Sequence, residues 1–381
     1  MSEWPASNDY TAVIQSPQIC FRDADLRNSK PELHALTRMP KVWTGNFAQV
    51  YELKNGTKRW AVKCFTRSSS DVRRRYSVIS NAIVSSNLPY FVGFRFADDE
   101  ILVGGKRYPI VKMEWVEGQS LDKFIEANLY RPQTLLDLAS RLAEMVKALE
   151  AKGLAHGDIQ HGNVLITNNE LKLVDYDGMF VPDFKGTLAP ERGLPSYQHP
   201  LRNDQFYDQT LDRFPLLVIC TALCAIAVDP SLWYEFSTGD NLLFTKQDFE
   251  RPDSSRLFSR LRNSTDSQVK TFAELLRVAS KNKPTEVSLP SGTISTPASM
   301  PKPWWVARTP TATTPSKPPG STVSQTATAS IVSEISKHRS FITSIFLYRW
   351  VLRSLRHRIT KCISRALALD SNSRWLSDRA Q

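Results

Sequence analysis

The spacing of a few polar residues constrains this chain more than any other feature. The run His156-Gly157-Asp158-Ile159-Gln160-His161-Gly162-Asn163 is followed, twelve residues beyond Asn163, by Asp175-Tyr176-Asp177-Gly178. An Asp and an Asn five apart, then a second Asp beyond a short hairpin, is the layout that phosphoryl transfer from ATP requires. One carboxylate takes the proton of an attacking hydroxyl, while the Asn and the second Asp hold Mg²⁺ on the nucleotide phosphates. Such chemistry needs segments distant in sequence to meet at one cleft.

The upstream segments supply the other parts of a nucleotide site. Val42 to Tyr51 reads as strand, tight turn and strand, and Gly45 in the turn lets backbone amides approach phosphate oxygens without Cβ interference. Trp60-Ala61-Val62-Lys63-Cys64-Phe65 is an apolar strand with a lysine inside it, which is costly unless the ammonium meets an anion. Thirteen residues separate Val50 from Lys63, which suits a hairpin that folds Lys63 beneath the glycine turn. Tyr108 to Gly118 gives a strand running into a connector, whose backbone offers the C=O of Glu114 and the N–H of Val116 to an adenine edge. Residues 134–152 repeat apolar positions at helical spacing, stop near Gly153, and deliver the chain to His156.

Taken together, these parts resemble the eukaryotic-type protein kinase fold over about residues 40–281, and more loosely a group of bacterial kinase-like proteins. The resemblance implies an α+β bilobal fold, with a small antiparallel β lobe and a mainly helical second lobe. It makes Lys63 the lysine on the α/β-phosphates, Asp158 the catalytic base, Asn163 and Asp175 the Mg²⁺ ligands, and Met113–Gly118 the interlobe hinge. Val50, Ala61 and Leu165 fall where that fold sandwiches adenine. Gly193 to Pro200 resembles the segment that closes the activation loop, and Asp212-Arg213-Phe214 the start of the helix whose Asp ties down the catalytic loop.

Three departures from that pattern bear on activity. The glycine loop keeps only its middle glycine, Gly45, with Trp43 and Ala48 at the flanking positions. No Glu lies in 66–98, where the family's helix would supply a partner for the lysine; the basic stretch from Asp71 to Ser80 stands there, which leaves Lys63 to pair with Asp175 or the phosphates, or the site catalytically weak. Gly157 replaces the Arg that reads a phosphorylated loop, and Gln160 the Lys near the transferring phosphate, a charge that Gln160 or His161 would replace in part by hydrogen bonding. Asp177, where the family has glycine, reads equally as a carboxylate beside the metal and as a solvated turn residue.

Three functions remain open on these residues. One is a Mg²⁺- and ATP-dependent kinase acting on a protein hydroxyl of Ser or Thr. The second is a small-molecule phosphotransferase of the HGDxxxxN type, and the third a nucleotide-binding scaffold without transfer activity. The Gly193–Pro200 segment with Asp212, which shapes a polypeptide-binding ledge, favours the first.

Outside 41–281 the material changes. Residues 1–40 read as an extension with one strand packed on the main domain. Residues 282–330 hold nine of the 23 prolines and almost no large aliphatic residue, which reads as a disordered linker carrying an odd Trp304-Trp305 pair. From Ile331 onward, ten Lys/Arg against three acids give a surplus of seven, most of the net +11. The basic balance therefore belongs to a tail and does not point to nucleic acid. Within it, 331–369 reads as a basic amphipathic helix suited to an anionic membrane surface or a partner protein. The five scattered cysteines and the absence of a basic-then-apolar start favour reduced thiols and a cytoplasmic chain, peripheral at the inner face of the membrane if the tail binds there.

Overall fold

Apolar residues alternate or cluster in β-branched runs through much of residues 42–114, and shift to helical spacing thereafter, so strands come first and helices second. The computed structural model describes residues 4–289, apart from 46–47, 68–71 and 169. Trp304-Trp305, the tail 331–369 and nearly all of the expected linker lie outside the described residues.

Strands β1 (Lys30–Pro31), β2 (Val42–Thr44), β3 (Ala48–Asn55), β4 (Lys58–Phe65), β5 (Phe94–Val103) and β6 (Lys106–Glu114) form one antiparallel sheet. Its order is β1-β3-β4-β6-β5, with β2 also paired to β3. Helix α4 (Val72–Ser86) packs by Tyr76 among Phe65, Phe94 and Phe96. On the other side lies the N-terminal segment. The single strand expected in residues 1–40 is β1, but three short helices precede it: α1 (Ser7–Val13), α2 (Pro17–Cys20) and α3 (Ala24–Arg27). Their Tyr10, Ile14, Cys20, Phe21 and Leu26 share a core with Tyr51, Leu53, Val62 and Ile101 of the sheet.

The second lobe begins with β7 (Gln119–Ser120), α5 (Leu121–Ala127) and α6 (Pro132–Ala151), then the hairpin β8 (Val164–Thr167) and β9 (Glu170–Leu173). At its centre stands α7 (Arg213–Val228), in which every residue from Phe214 to Ala227 is buried. A helix apolar on all sides has to sit inside others, and α6 and α11 (Ser267–Ala279) flank it, with α8 (Ser231–Phe236), α9 (Lys246–Glu250) and α10 (Arg256–Arg262) beyond. Packing does not stop at residue 281, because Val287 is buried and its carbonyl accepts from Arg213 Nη1 at 3.0 Å.

Candidate active site

Strand register sets the first half of the site. Val50 lies directly across from Lys63, which in turn faces Val111, while Ala61 faces Met113. Trp60 faces Glu114, and the next residue, Trp115, donates its N–H to Arg59 O at 2.9 Å. That is the pattern around a non-hydrogen-bonded pair, so the Glu114 C=O points away from β4 and past the start of β5. The connector then presses on the second lobe: a Cβ on Gly118 would come within 3.0 Å of Ile166 O and 3.3 Å of Leu165 Cβ. Val50, Ala61, Met113 and Leu165 are all half-buried, the first three linked by sheet register and the last set against the connector at Gly118. Gly45 anchors the glycine turn by donating to Ala48 O at 2.9 Å, and the tip of that turn falls in 46–47, outside the described residues.

Lys63 Nζ lies 2.7 Å from Asp175 Oδ1 and 2.6 Å from Asp177 Oδ2. Burial alone would lower the lysine pKa, but the two carboxylates overcome it and hold the ammonium well above its ordinary value. Partial loss of water around its carboxylate would raise Asp175, yet Lys63 prevails and holds it below the usual carboxylate range. Asp175 takes a positive φ of 67°, an uncommon conformation that clusters at functional sites. The next side chain, Tyr176, is fully buried; its hydroxyl donates to Leu173 O at 2.7 Å and accepts from Val92 N–H at 2.8 Å. Its ring packs between Phe94 and His156, forming a column through both lobes.

The catalytic-loop half is held by hydrogen bonds to backbone. Buried Asp212 accepts from the N–H of His156 at 2.5 Å and of Gly157 at 2.8 Å. Asp158 Oδ1 accepts from Leu194 N–H at 2.8 Å and its Oδ2 from Asn163 Nδ2 at 3.1 Å, so the carboxylate is fixed from two directions. Burial, opposed by the Leu194 N–H and assisted by Asp175, pushes Asp158 upward. Asn163 makes both these side-chain bonds through Nδ2, to Asp158 O at 2.9 Å and to the carboxylate, and its amide oxygen takes part in neither. Gly193 is obligatory, because at φ 73° a Cβ would approach Asp158 Oδ1 to 2.5 Å.

Gln160 and His161 serve the loop itself. Gln160 Oε1 accepts from Gly162 N–H at 2.7 Å, and His161 Nδ1 meets the Tyr197 hydroxyl at 2.7 Å. Asp177 is only 23% exposed and pairs with the same ammonium as Asp175, so it is not a solvated turn residue. Sequence reasoning also passed over Arg75 and Tyr76 on α4, Glu191 and Arg202. Arg75 Nη2 donates to Asp177 O at 2.8 Å, Met179 O at 2.7 Å and the Tyr207 hydroxyl at 2.8 Å, and its guanidinium lies 4.7 Å from the Phe184 ring. Tyr76 donates its hydroxyl to Asp177 Oδ1. Arg202 is buried and donates to Gly157 O at 2.8 Å. The only signal for Arg75 and Tyr76 was negative, a helix without the expected carboxylate.

Comparison with known proteins bears on this arrangement. A family model described as protein kinase domain matches residues 36–226. The interferon-induced, double-stranded RNA-activated protein kinase of Rattus norvegicus is 23% identical over 269 residues, 64% of this chain and 52% of that protein. The probable serine/threonine-protein kinase glkA of Dictyostelium discoideum is 24% identical over 151 residues, covering 39% and 31%. The serine/threonine-protein kinase chk1 of Schizosaccharomyces pombe is 29% identical over 149 residues, covering 37% and 29%. The chain thus spans about half the length of the first of these relatives and less than a third of the other two.

Proposed function

The chain belongs to the protein kinase domain family, and on that premise we propose that it transfers the γ-phosphate of ATP, with Mg²⁺, to a Ser or Thr hydroxyl of a protein. The observation that carries the reading is the meeting of Lys63 and Asp175 at 2.7 Å across 112 residues of chain, on the cleft that also holds Asp158 and Asn163. The donor set fits the group it would take. Asn163 presents an oxygen, the Asp175 side chain is 48% exposed, and the Lys63 ammonium stands beside them. Asn163 and Asp175 would hold the metal, which when bound neutralises charge on the triphosphate. Lys63 and the Gly45 turn position phosphate oxygens. Asp158, fixed by Leu194 and Asn163 and shifted upward by burial, accepts the proton of the substrate hydroxyl.

A polypeptide substrate is favoured over a small molecule because Leu194, in the Gly193–Pro200 segment, is bonded to the catalytic carboxylate itself. His199 anchors the far end of that segment to Ala279 O at 2.9 Å. Two of the relatives are named serine/threonine kinases, which supports the Ser/Thr assignment. The basic stretch 331–369 is assigned, on its sequence, to an anionic membrane surface or a partner protein. Incubation of the full chain with γ-labelled ATP and a host lysate should label protein on Ser or Thr. Asp158→Ala should abolish that labelling; undiminished labelling would remove the assignment of the base.

A further inference from the structure

Helix α4 carries no carboxylate between Val72 and Ser86, yet it is joined to Lys63. The join runs through one residue of the segment that follows the hairpin β8–β9. Asp177 gives one oxygen to Lys63 at 2.6 Å and the other to the hydroxyl of Tyr76, while its backbone carbonyl accepts from Arg75 Nη2 at 2.8 Å and Nε at 3.2 Å. From these contacts we propose that Asp177 and Tyr76 are positioning residues that together couple helix α4 to the phosphate-holding lysine. This rests on the reading of Lys63 given above.

The chemistry suits the task. A carboxylate has two oxygens, and here one faces a cation and the other a neutral donor, so neither bond is made at the expense of the other. The Tyr76 ring is wedged among Phe65 at 5.7 Å, Phe94 at 5.6 Å and Phe96 at 5.8 Å, so the hydroxyl is presented from a fixed ring. Burial, opposed by Lys63 and assisted by Asp177, keeps that hydroxyl protonated and hence a donor. Arg75 ties the same helix to Met179 O and to the Tyr207 hydroxyl. The consequence is a change in what the lysine senses. With the carboxylate placed on the segment of Asp175 rather than on the helix, the lysine, the proposed metal ligand and α4 form one hydrogen-bonded unit. The helix cannot swing outward without breaking bonds to residues 177 and 179.

Tyr76→Phe and Asp177→Asn are near-isosteric and leave the aromatic cluster in place, so both variants should fold. In the nucleotide-free full chain, amide exchange across 72–86 should be faster in each variant than in wild type. Titration with Mg·ATP, followed by calorimetry, should show an affinity about tenfold weaker in each, the loss expected for one hydrogen bond to a charged group. The bound stoichiometry should stay unchanged, whereas a merely structural lesion would lower stoichiometry and spare affinity. The double variant should be no weaker than the worse single one, since the two residues form one relay. The proposal is overturned if Tyr76→Phe leaves both exchange and affinity at wild-type values, or if the single effects multiply. Wild-type protein that never transfers phosphate, but whose variants show these exchange and affinity changes, would sink the kinase reading and leave the relay standing.

Discussion

At position 157 a side chain has nowhere to go. Gly157 has φ 81°, and a Cβ there would lie 2.2 Å from Gly178 O. The missing Arg beside Asp158 is therefore a matter of fit, since the chain after Asp177 occupies its space. Gly157→Ala should lower the melting midpoint by at least about 5 °C, from combined strain and collision; an unchanged midpoint would show that the two loops part readily. Glu191 offers a different test. Burial, followed by Asp177, Asp175 and Asp158, pushes its carboxyl up to about 7. The fold thus favours its protonated form, so its contribution to stability is fullest below the ordinary carboxylate range and is lost as pH rises towards 7. In chelator, Glu191→Gln should melt with wild type near pH 4.5 and above it by pH 7.5. A constant offset at both would assign the effect elsewhere. Lys63, Asp158, Asn163 and Asp175 were legible because charged and amide side chains at those spacings inside apolar runs are costly without a purpose. The roles of Asp177 and Tyr76 were not. An Asp beside glycine reads as a turn, and a Tyr in an amphipathic helix reads as core, which for the Tyr76 ring is also true.

The elements divide in the same way. Strands β3, β4 and β6 and helix α6 could be read from alternation and helical spacing because each is eight residues or longer. Helices α1 to α3 span seven, four and four residues, too short for a period to show. What fixes them is tertiary: Tyr10 donates to Phe65 O at 2.7 Å, and Asp23 and Asp25 pair with buried Lys112 at 2.7 and 2.9 Å. Lys112 also lies 4.1 Å from the Trp60 ring. Removing one partner leaves a lysine that is 8% exposed with half its compensation. Asp23→Ala should cost about 3 kcal/mol in urea unfolding. A cost below about 0.5 kcal/mol would mean that Asp25 and the indole suffice.

For the whole molecule, the order of motifs was enough to give the two lobes, since Lys63, Asp158 and Asp175 can meet only if a sheet and a helical body close on one another. How the lobes are locked was hidden, because the lock is made of contacts and not of types. Phe94, Tyr176 and His156 pack ring against ring, tilted and edge to face, across the divide, and Arg75 grips the segment beyond Asp175. In this closed arrangement Thr187 Oγ1 donates to Phe184 O at 2.8 Å, a local bond with no cation in it. Thr187→Ala should therefore retain phosphoryl transfer within about twofold; abolition would reveal a loop that depends on its own modification. The C-terminal margin carries a practical consequence. Arg213, which holds the Val287 carbonyl and Glu150, directly follows the carboxylate that secures His156 and Gly157. Trimming the protein at residue 281 to discard its basic extension would also loosen that anchorage, and inactivity of the shortened form would be blamed on the wrong stretch. A cut beyond Leu289 keeps the two questions apart.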